Sequence, residues 1–377
     1  MDKVVIIPDS FKGTLSSKEV AALMGEAVGS VFPEADRILL PIGDGGEGTV
    51  ESFLTSLGGE RVETTVCGPF FTPVSSFYGR LPDGTVVIEM AAAAGLPLVG
   101  NRREVEQTTT FGVGELMGKA LEEGAKHIIL GLGGSATNDG GAGMLQALGA
   151  HLYDANGHEL PRGGAALARL HHADFSGLHP ALANTTLEIA CDVTNPLCGA
   201  NGASAIFGPQ KGADAAAVAE LDAALAHYAA VLTASGLPDQ REQPGAGAAG
   251  GLGYALALLG ANLTSGIDLV MQAAGVDAAL ANADLVITGE GRLDGQTRLG
   301  KVPLGVLRLA QQHGVPVIAI AGVLGAGAET LTDEGFTAIF PSIAALAPLD
   351  KTLAQGGENL ERTARQIAAV LALGGQI

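Results

Sequence analysis

Tryptophan is absent and aromatic residues make up only 4% of the 377 positions, so packing must rest on aliphatic side chains and bare backbone. Cysteine is scarce as well. Cys67, Cys191 and Cys198 cannot build a disulfide framework and lack the paired spacing of a structural zinc site. Basic charge is short, with 21 Lys and Arg against 40 Asp and Glu. The resulting formal net charge of −19 argues against a nucleic acid or an anionic membrane as partner. The N-terminal stretch MDKVVIIPDS is too short an apolar run for a signal peptide, and no later run reaches the length of a membrane span. These absences point to a reduced, cytoplasmic setting.

What the chain has in quantity is glycine, 56 residues, within a composition that is 47% hydrophobic and 16% charged. That balance suits a packed protein, and the length exceeds what one hydrophobic core usually serves, so two domains are expected. The first segment alternates strand and helix: VVIIP, SSKEVAALMGEAVGSVF with Ser16 and Glu19 as a capping box, RILLPI, EGTVESFLTSLG. The last segment does the same, with ADLVITG, KVPLGVLRLAQQHG, VPVIAIAG, FTAIFPS and a final helix. Such alternation predicts parallel α/β layers. Between them VETTVCGPF, VSSFYGRL and TVVIEM read as closely spaced strands, the last two joined at Pro82-Asp83-Gly84, followed by further strands and an Ala-rich helix. The fold class is therefore α/β in two domains: a Rossmann-like parallel-sheet domain built from both termini, 1–64 plus 281–377, and an inserted mixed α/β domain, 65–280. PGAGAAGGLG, Pro244 to Gly253, reads as a flexible loop.

Glycine concentrates where strands end. GLGGSATNDGGAG, Gly131 to Gly143, follows the apolar run HIIL and precedes a helix, whose unpaired N–H groups would form an anion site. DSFKGT, GDGGEG, CDVTNPL and TGEGRLDGQTRLGK likewise close predicted strands, where open α/β sheets bind ligands. Basic residues within glycine-rich segments are Lys12, Lys211, Arg292, Arg298 and Lys301.

Two generic fingerprints compete here. Gly131 to Ala136 fits the dinucleotide pattern, with Asp154 at ribose distance, which keeps a nicotinamide-dependent oxidoreductase acting on a small hydroxy acid as the alternative. Against it, Asn138 and Asp139 follow at once, and a carboxylate sits badly beside a pyrophosphate. Gly295 to Lys301 matches a Walker A loop, except that Val302 replaces the hydroxyl residue that would bind magnesium. A binding protein with two α/β lobes is a weaker rival, because it would need an export signal.

Phosphoryl transfer needs amides or cations on the phosphate oxygens, a divalent cation, and an acceptor for the hydroxyl proton. Amides of Gly133 to Ser135 supply the first. Asp44, Glu47, Asp192, Glu290 and Asp294 offer oxygen ligands for magnesium. Asp192 ends an apolar strand, where partial burial would raise its pKa toward that of a base.

In this order PDSFKGTLS, GDGGEGT, GLGGSATNDGGAGM, CDVTNPLCG, GAAGGLG and TGEGRLDGQTRLGKVP resemble the bacterial glycerate kinase family, of the glycerate 2-kinase type, over essentially the whole chain. The resemblance implies ATP-dependent phosphorylation of D-glycerate at the 2-hydroxyl, giving 2-phosphoglycerate and ADP. It also implies Mg2+ with the ATP, and a two-domain α/β fold with an interdomain cleft. On the motif positions we expect Asp192 to accept the hydroxyl proton or hold magnesium, and Lys12 and Arg292 to clamp the carboxylate or the transferring phosphate. Ser10 and Asp44 are expected on the glycerate hydroxyls, Lys301 on a phosphate, and Gly133, Gly134, Ser135 and Thr137 on the ATP phosphates. Glu290 and Asp294 are expected to complete the metal or substrate site.

Overall fold

The computed structural model describes residues 1–11, 13–42, 48–295, 297, 301–345 and 347–374. The chain divides into two compact units, Met1–Gly58 with Ile267–Ile377, and Gly59–Gly266. Its strands are, in order, β1 (Lys3–Pro8), β2 (Asp36–Leu39), β3 (Glu60–Cys67), β4 (Pro73–Arg80), β5 (Val86–Glu89) and β6 (His127–Gly131). There follow β7 (His151–Tyr153), β8 (His172–Asp174), β9 (Thr186–Ala190), β10 (Asn262–Thr264), β11 (Leu285–Leu293), β12 (Val317–Leu324) and β13 (Ala338–Pro341).

The unit made from both ends of the chain is a parallel sheet in the order β13-β12-β11-β1-β2. The helix Ser17–Gly29 carries the chain from β1 to β2. It opens on the Ser16/Glu19 capping box, which satisfies two of the backbone donors that a helix start leaves over. Val4, Ile6, Leu285, Ile287 and Ile320 bury one face of the sheet under this helix and the helix Gly356–Gly374. The alternating residues Val5, Ile7 and Val286 are buried as well, and the helix Val302–Gln312 packs on β11 and β1. One crossover from β1 runs toward β2 while those from β11 run toward β13, so strand order reverses between β1 and β11. That reversal is where an open sheet of this kind leaves a crevice at its carboxyl edge.

β11 is longer than the expected strand. It continues through Gly289 and Gly291 to pair Arg292 with Val323 and Leu293 with Leu324. Glycine is required on this strand rather than breaking it, because a Cβ on Gly289 would lie 2.1 Å from the Ile320 carbonyl oxygen. Glu290 and Arg292 therefore sit on a strand and not in a loop.

The other unit holds a six-stranded mixed sheet, β10-β9-β6-β5-β4-β3, in which β5, β6, β9 and β10 are parallel and the hairpin strands are antiparallel. The helix Phe111–Glu122 covers it through Val113, Leu116, Met117 and Ala120. β7 and β8 form a separate antiparallel pair. The segment Pro244 to Gly253 is not a loose loop. Ala246 through Gly253 are buried, and the helix Ala248–Leu258 is kinked at Ala249, Gly250 and Gly251, all with left-handed backbone angles.

The helix Ala215–Ala234 is long and apolar enough to cross a membrane by length and mean hydropathy, 1.4, although no single run in the sequence suggests it. Glu220 and Asp222 interrupt the apolar run. Leu221, Leu225, Tyr228 and Leu232 bury the helix in a second core of this unit, so its apolarity is that of a core helix.

Candidate functional site

β6 ends at Gly131 and the glycine-rich turn begins. Gly133 and Gly134 are exposed, Ser135 is 8% exposed, and Thr137, Asn138 and Asp139 are fully buried. The turn thus has an outer rim and an inner wall. The rim is pinned by Leu96 N–H donating to the Gly134 carbonyl at 2.9 Å and Ala136 N–H donating to the Ala94 carbonyl at 2.9 Å. Among the described residues no acceptor receives the N–H of Gly133, Gly134 or Ser135.

The inner wall corrects the expectation of an anion site at the following helix. Asp139 accepts from the N–H of Gly141 at 3.1 Å and of Gly143 at 3.3 Å, so the start of the helix Ala142–Ala147 is already supplied with a carboxylate. The same side chain accepts from Thr110 N–H at 2.7 Å and from the Thr110 hydroxyl at 2.9 Å. Burial pushes its carboxyl above the ordinary range, and these hydrogen bonds oppose the shift. What the turn leaves for a ligand is the Gly133–Ser135 rim. Thr137 stands beneath it rather than on it.

Below Thr137 lies Lys211, only 4% exposed, donating from Nζ to the Thr137 carbonyl at 2.7 Å. Burial brings its pKa down to about 7, against the opposing charge of Asp139. Asn138 donates to the Ser204 hydroxyl at 2.9 Å. Lys211 was noted only as a basic residue in a glycine-rich segment and Asp139 only as a carboxylate unsuited to a pyrophosphate, and neither was assigned a role in the site. An Asp placed just before Gly-Gly at a helix start is a capping pattern, and that is the signal that could have found Asp139.

Asp192 stands two residues past β9, the strand beside β6, so it shares the carboxyl edge of the sheet with the Gly133–Ser135 rim. Leu132 N–H reaches the Ala190 carbonyl at 3.3 Å. The expected partial burial of Asp192 is not found. The side chain is exposed, because β9 has ended and the chain leaves the sheet, and its Oδ1 accepts from Gly266 N–H at 3.3 Å.

The parallel unit gathers the second set. At the end of β1, Asp9 N–H donates to the Gly289 carbonyl at 2.8 Å, and the half-buried Ser10 donates its N–H to Asp9 Oδ1 at 2.5 Å. On the neighbouring β11, Glu290 is 5% exposed and has both oxygens engaged. Thr297 donates to Oε1 at 2.8 Å and Lys301 to Oε2 at 2.9 Å. Burial raises the Glu290 carboxyl, and the bonds from Lys301 and Thr297 pull it back. Arg292 donates from Nε to Asp294 Oδ2 at 3.0 Å while remaining exposed. Ser10, Glu290, Arg292, Asp294 and Lys301 are thus grouped at the β1/β11 edge. Lys12 and Asp44, with Glu47 and Arg298, lie outside the described residues.

Magnesium suits one or two carboxylates plus substrate phosphates rather than an all-protein cage. Among the described residues no group of three or more His, Cys, Asp or Glu side chains is placed to hold an ion. Glu290 could take a cation only by releasing the Lys301 ammonium, and Asp294 is bonded to Arg292. The dinucleotide alternative fails on topology. Asp154 follows β7, which lies outside the β6 sheet, and its Oδ1 accepts from the N–H of Asn156 and His158 in a turn of its own.

Polar loops at the carboxyl edges of both sheets, with an exposed glycine rim beside a carboxylate in one of them, suit a small-molecule phosphotransferase. The sequence profile described as the glycerate kinase family matches residues 4–372. The chain is 48% identical over 374 residues to "Glycerate kinase" of Bacillus subtilis (strain 168), covering 98% of each chain. It is 48% identical to "Glycerate 2-kinase" of Escherichia coli (strain K12), covering 99% of this chain and 98% of that one. The structure titled "Crystal structure of putative glycerate kinase 2 from Salmonella typhimurium LT2" matches with a TM-score of 0.88 and 48% identity, covering 100% of both chains. The chain belongs to the glycerate kinase family.

Proposed function

We propose that this chain transfers the terminal phosphoryl group of ATP, carried with Mg2+, to the 2-hydroxyl of D-glycerate, giving 2-phosphoglycerate and ADP. The observation that carries the reading is the pairing, at one sheet edge, of the Gly133–Ser135 amides, which meet no acceptor among the described residues, with the exposed carboxylate of Asp192. Full-length likeness to a relative named for the 2-kinase reaction supports the regiochemistry.

In this reading Gly133, Gly134 and Ser135 hold the ATP phosphates through backbone N–H groups, and Thr137 supports them from below. Such fixed donors stabilise charge as it spreads over the transferring group. Asp192 takes the proton from the attacking hydroxyl. Ser10 and Asp44 bind the glycerate hydroxyls, while Lys12 and Arg292 grip its carboxylate, where a guanidinium makes two parallel bonds. Glu290 keeps the Lys301 ammonium in place at the start of its helix for a phosphate. When bound with ATP, Mg2+ would neutralise charge on the phosphates, and Asp294 is the carboxylate of the second set that would hold it once Arg292 turns from it to the glycerate carboxylate. The reducing cytoplasm, where ATP and magnesium are plentiful, is the proposed location and agrees with three free cysteines.

Mixing the protein with Mg-ATP and D-glycerate should release ADP with no change in nicotinamide absorbance, and phosphorus NMR should find 2-phosphoglycerate. The 3-phosphate as product would reject the regiochemistry. Absence of ADP release would reject the function.

A further inference from the structure

The inner wall of the glycine turn contains a lysine that no step above uses. Lys211 comes from the short helical turn Pro209–Lys211 and is almost wholly enclosed. A buried ammonium is costly unless it is paired or hydrogen-bonded. This one is spent on a main-chain carbonyl, that of Thr137, at 2.7 Å. The backbone around that carbonyl is shaped to let neighbours approach. Gly250 has φ +70°, and a Cβ there would lie 2.0 Å from the Thr137 carbonyl oxygen. Gly140 N–H in turn donates to the Gly250 carbonyl at 2.9 Å. Asp139 and Asn138 complete the wall through Thr110 and Ser204. Every residue from Thr137 to Gly140 is therefore tied to a different element, and the tie at Thr137 is the one made by a cation.

We propose that Lys211 is a positioning residue for the phosphate turn: its ammonium fixes the Thr137 carbonyl and places positive charge beneath the Gly133–Ser135 rim, so that nucleotide affinity depends on it and glycerate affinity does not. The inference rests on the reading that this rim holds the ATP phosphates. Among the described residues the charged group acting on Lys211 is Asp139 from the turn, and Asp139 in turn helps to raise the phenol of Tyr228, from the helix Ala215–Ala234. With its pKa brought down to about 7, Lys211 is a mixture of ammonium and amine near neutral pH, and phosphate charge above it would favour the ammonium.

Three variants of the full chain separate the possibilities. Lys211→Met removes donor and charge, and should raise KM for Mg-ATP at least tenfold while KM for D-glycerate stays within twofold. Lys211→Gln restores a donor without charge and should recover part of the loss. Gly133→Ala tests the rim itself, since a Cβ there meets nothing within 4 Å and only a ligand would feel it. A higher ATP KM in Gly133→Ala beside unchanged values in Lys211→Met would overturn the role of Lys211 and leave the rim standing. An unchanged ATP KM in Gly133→Ala would remove the rim, and the inference with it. Should the Lys211 variants fail to fold, the native protein decides. The NMR titration midpoint of the Lys211 side chain should move to higher pH when magnesium-bound AMP-PNP is added. A midpoint that stays in place overturns the proposal.

Discussion

Lys301 precedes the first turn of the helix Val302–Gln312 and holds its ammonium 2.9 Å from Oε2 of Glu290, a carboxylate almost sealed in the β1/β11 edge. Among the described residues, removing the cation leaves the carboxylate with Thr297 alone. A sealed pair that loses one partner costs about 3–5 kcal/mol, but Lys301 is itself 36% exposed, so about 1–3 kcal/mol is expected for Lys301→Met at pH 8. The pH dependence has a definite sign. Glu290 has a raised folded pKa, so its ionisation works against folding, and that penalty grows as pH rises above the unfolded value. Loss of Lys301 raises the folded pKa further. Denaturation midpoints of wild type and Lys301→Met should therefore lie farthest apart at pH 8 and draw together as pH falls through the raised folded pKa, where the carboxyl takes up its proton. A gap that stays constant across that range would show that the pair does not act through the charge of Glu290.

Asp192 offers the opposite case, a carboxylate with little structural duty. Asp192→Asn should lower kcat by at least about a hundredfold, the usual worth of a positioned base, with the unfolding temperature within about 2 °C of wild type. Its apparent magnesium requirement should be unchanged, because the cation rides on the phosphates. A tenfold rise in the magnesium concentration needed for half-maximal rate, with kcat restored at saturation, would assign Asp192 to the metal instead.

Much of this arrangement was legible in the residues. The β-α alternation at the two ends of the chain yielded the parallel sheet, and Ser16 with Glu19 formed the expected capping box. The close strands VETTVCGPF and VSSFYGRL pair antiparallel as β3 and β4. Two misread glycines share one cause. Glycine signals a turn when read alone, yet Gly289 lies within a strand and Gly250 within a buried kink, each because a neighbouring carbonyl oxygen comes within about 2 Å of where a Cβ would be. Local sequence carries no record of that neighbour. Buried charge is equally silent. Asp139 and Lys211 sit in stretches whose composition suggests solvent, and only the fold shows that Thr110, Gly141, Gly143 and Thr137 surround them.

Asp139→Asn keeps the shape of the side chain but swaps one acceptor for an amino group. That group must then face N–H donors from Thr110, Gly141 or Gly143 inside the wall. Leaving a buried donor unmatched costs about 1–3 kcal/mol. Urea denaturation should place Asp139→Asn about 2 kcal/mol below wild type, and the ATP KM should rise with it as the turn loosens. Stability equal to that of Asp192→Asn would mean that the buried hydrogen bonds of Asp139 contribute nothing to the fold.

The kink at Ala249–Gly251 separates backbone strain from collision. Gly236, just past the helix Ala215–Ala234, has φ +94° and open space where a Cβ would go, so Gly236→Ala should cost only the left-handed backbone penalty, about 1–2 kcal/mol. Gly250 has φ +70° and would drive its Cβ to 2.0 Å from the Thr137 carbonyl oxygen and 2.6 Å from the Asn138 Cα, both main-chain atoms that cannot swing aside. Gly250→Ala should therefore cost about 3 kcal/mol or more, the strain plus a displaced turn. Because the displaced atoms belong to the wall beneath Gly133–Ser135, its ATP KM should rise at temperatures where the variant is still folded. Gly236→Ala should leave that constant alone. Equal stability losses in the two variants, measured by chemical denaturation, would mean that the glycine at 250 serves only its own backbone angle and does not seat the turn.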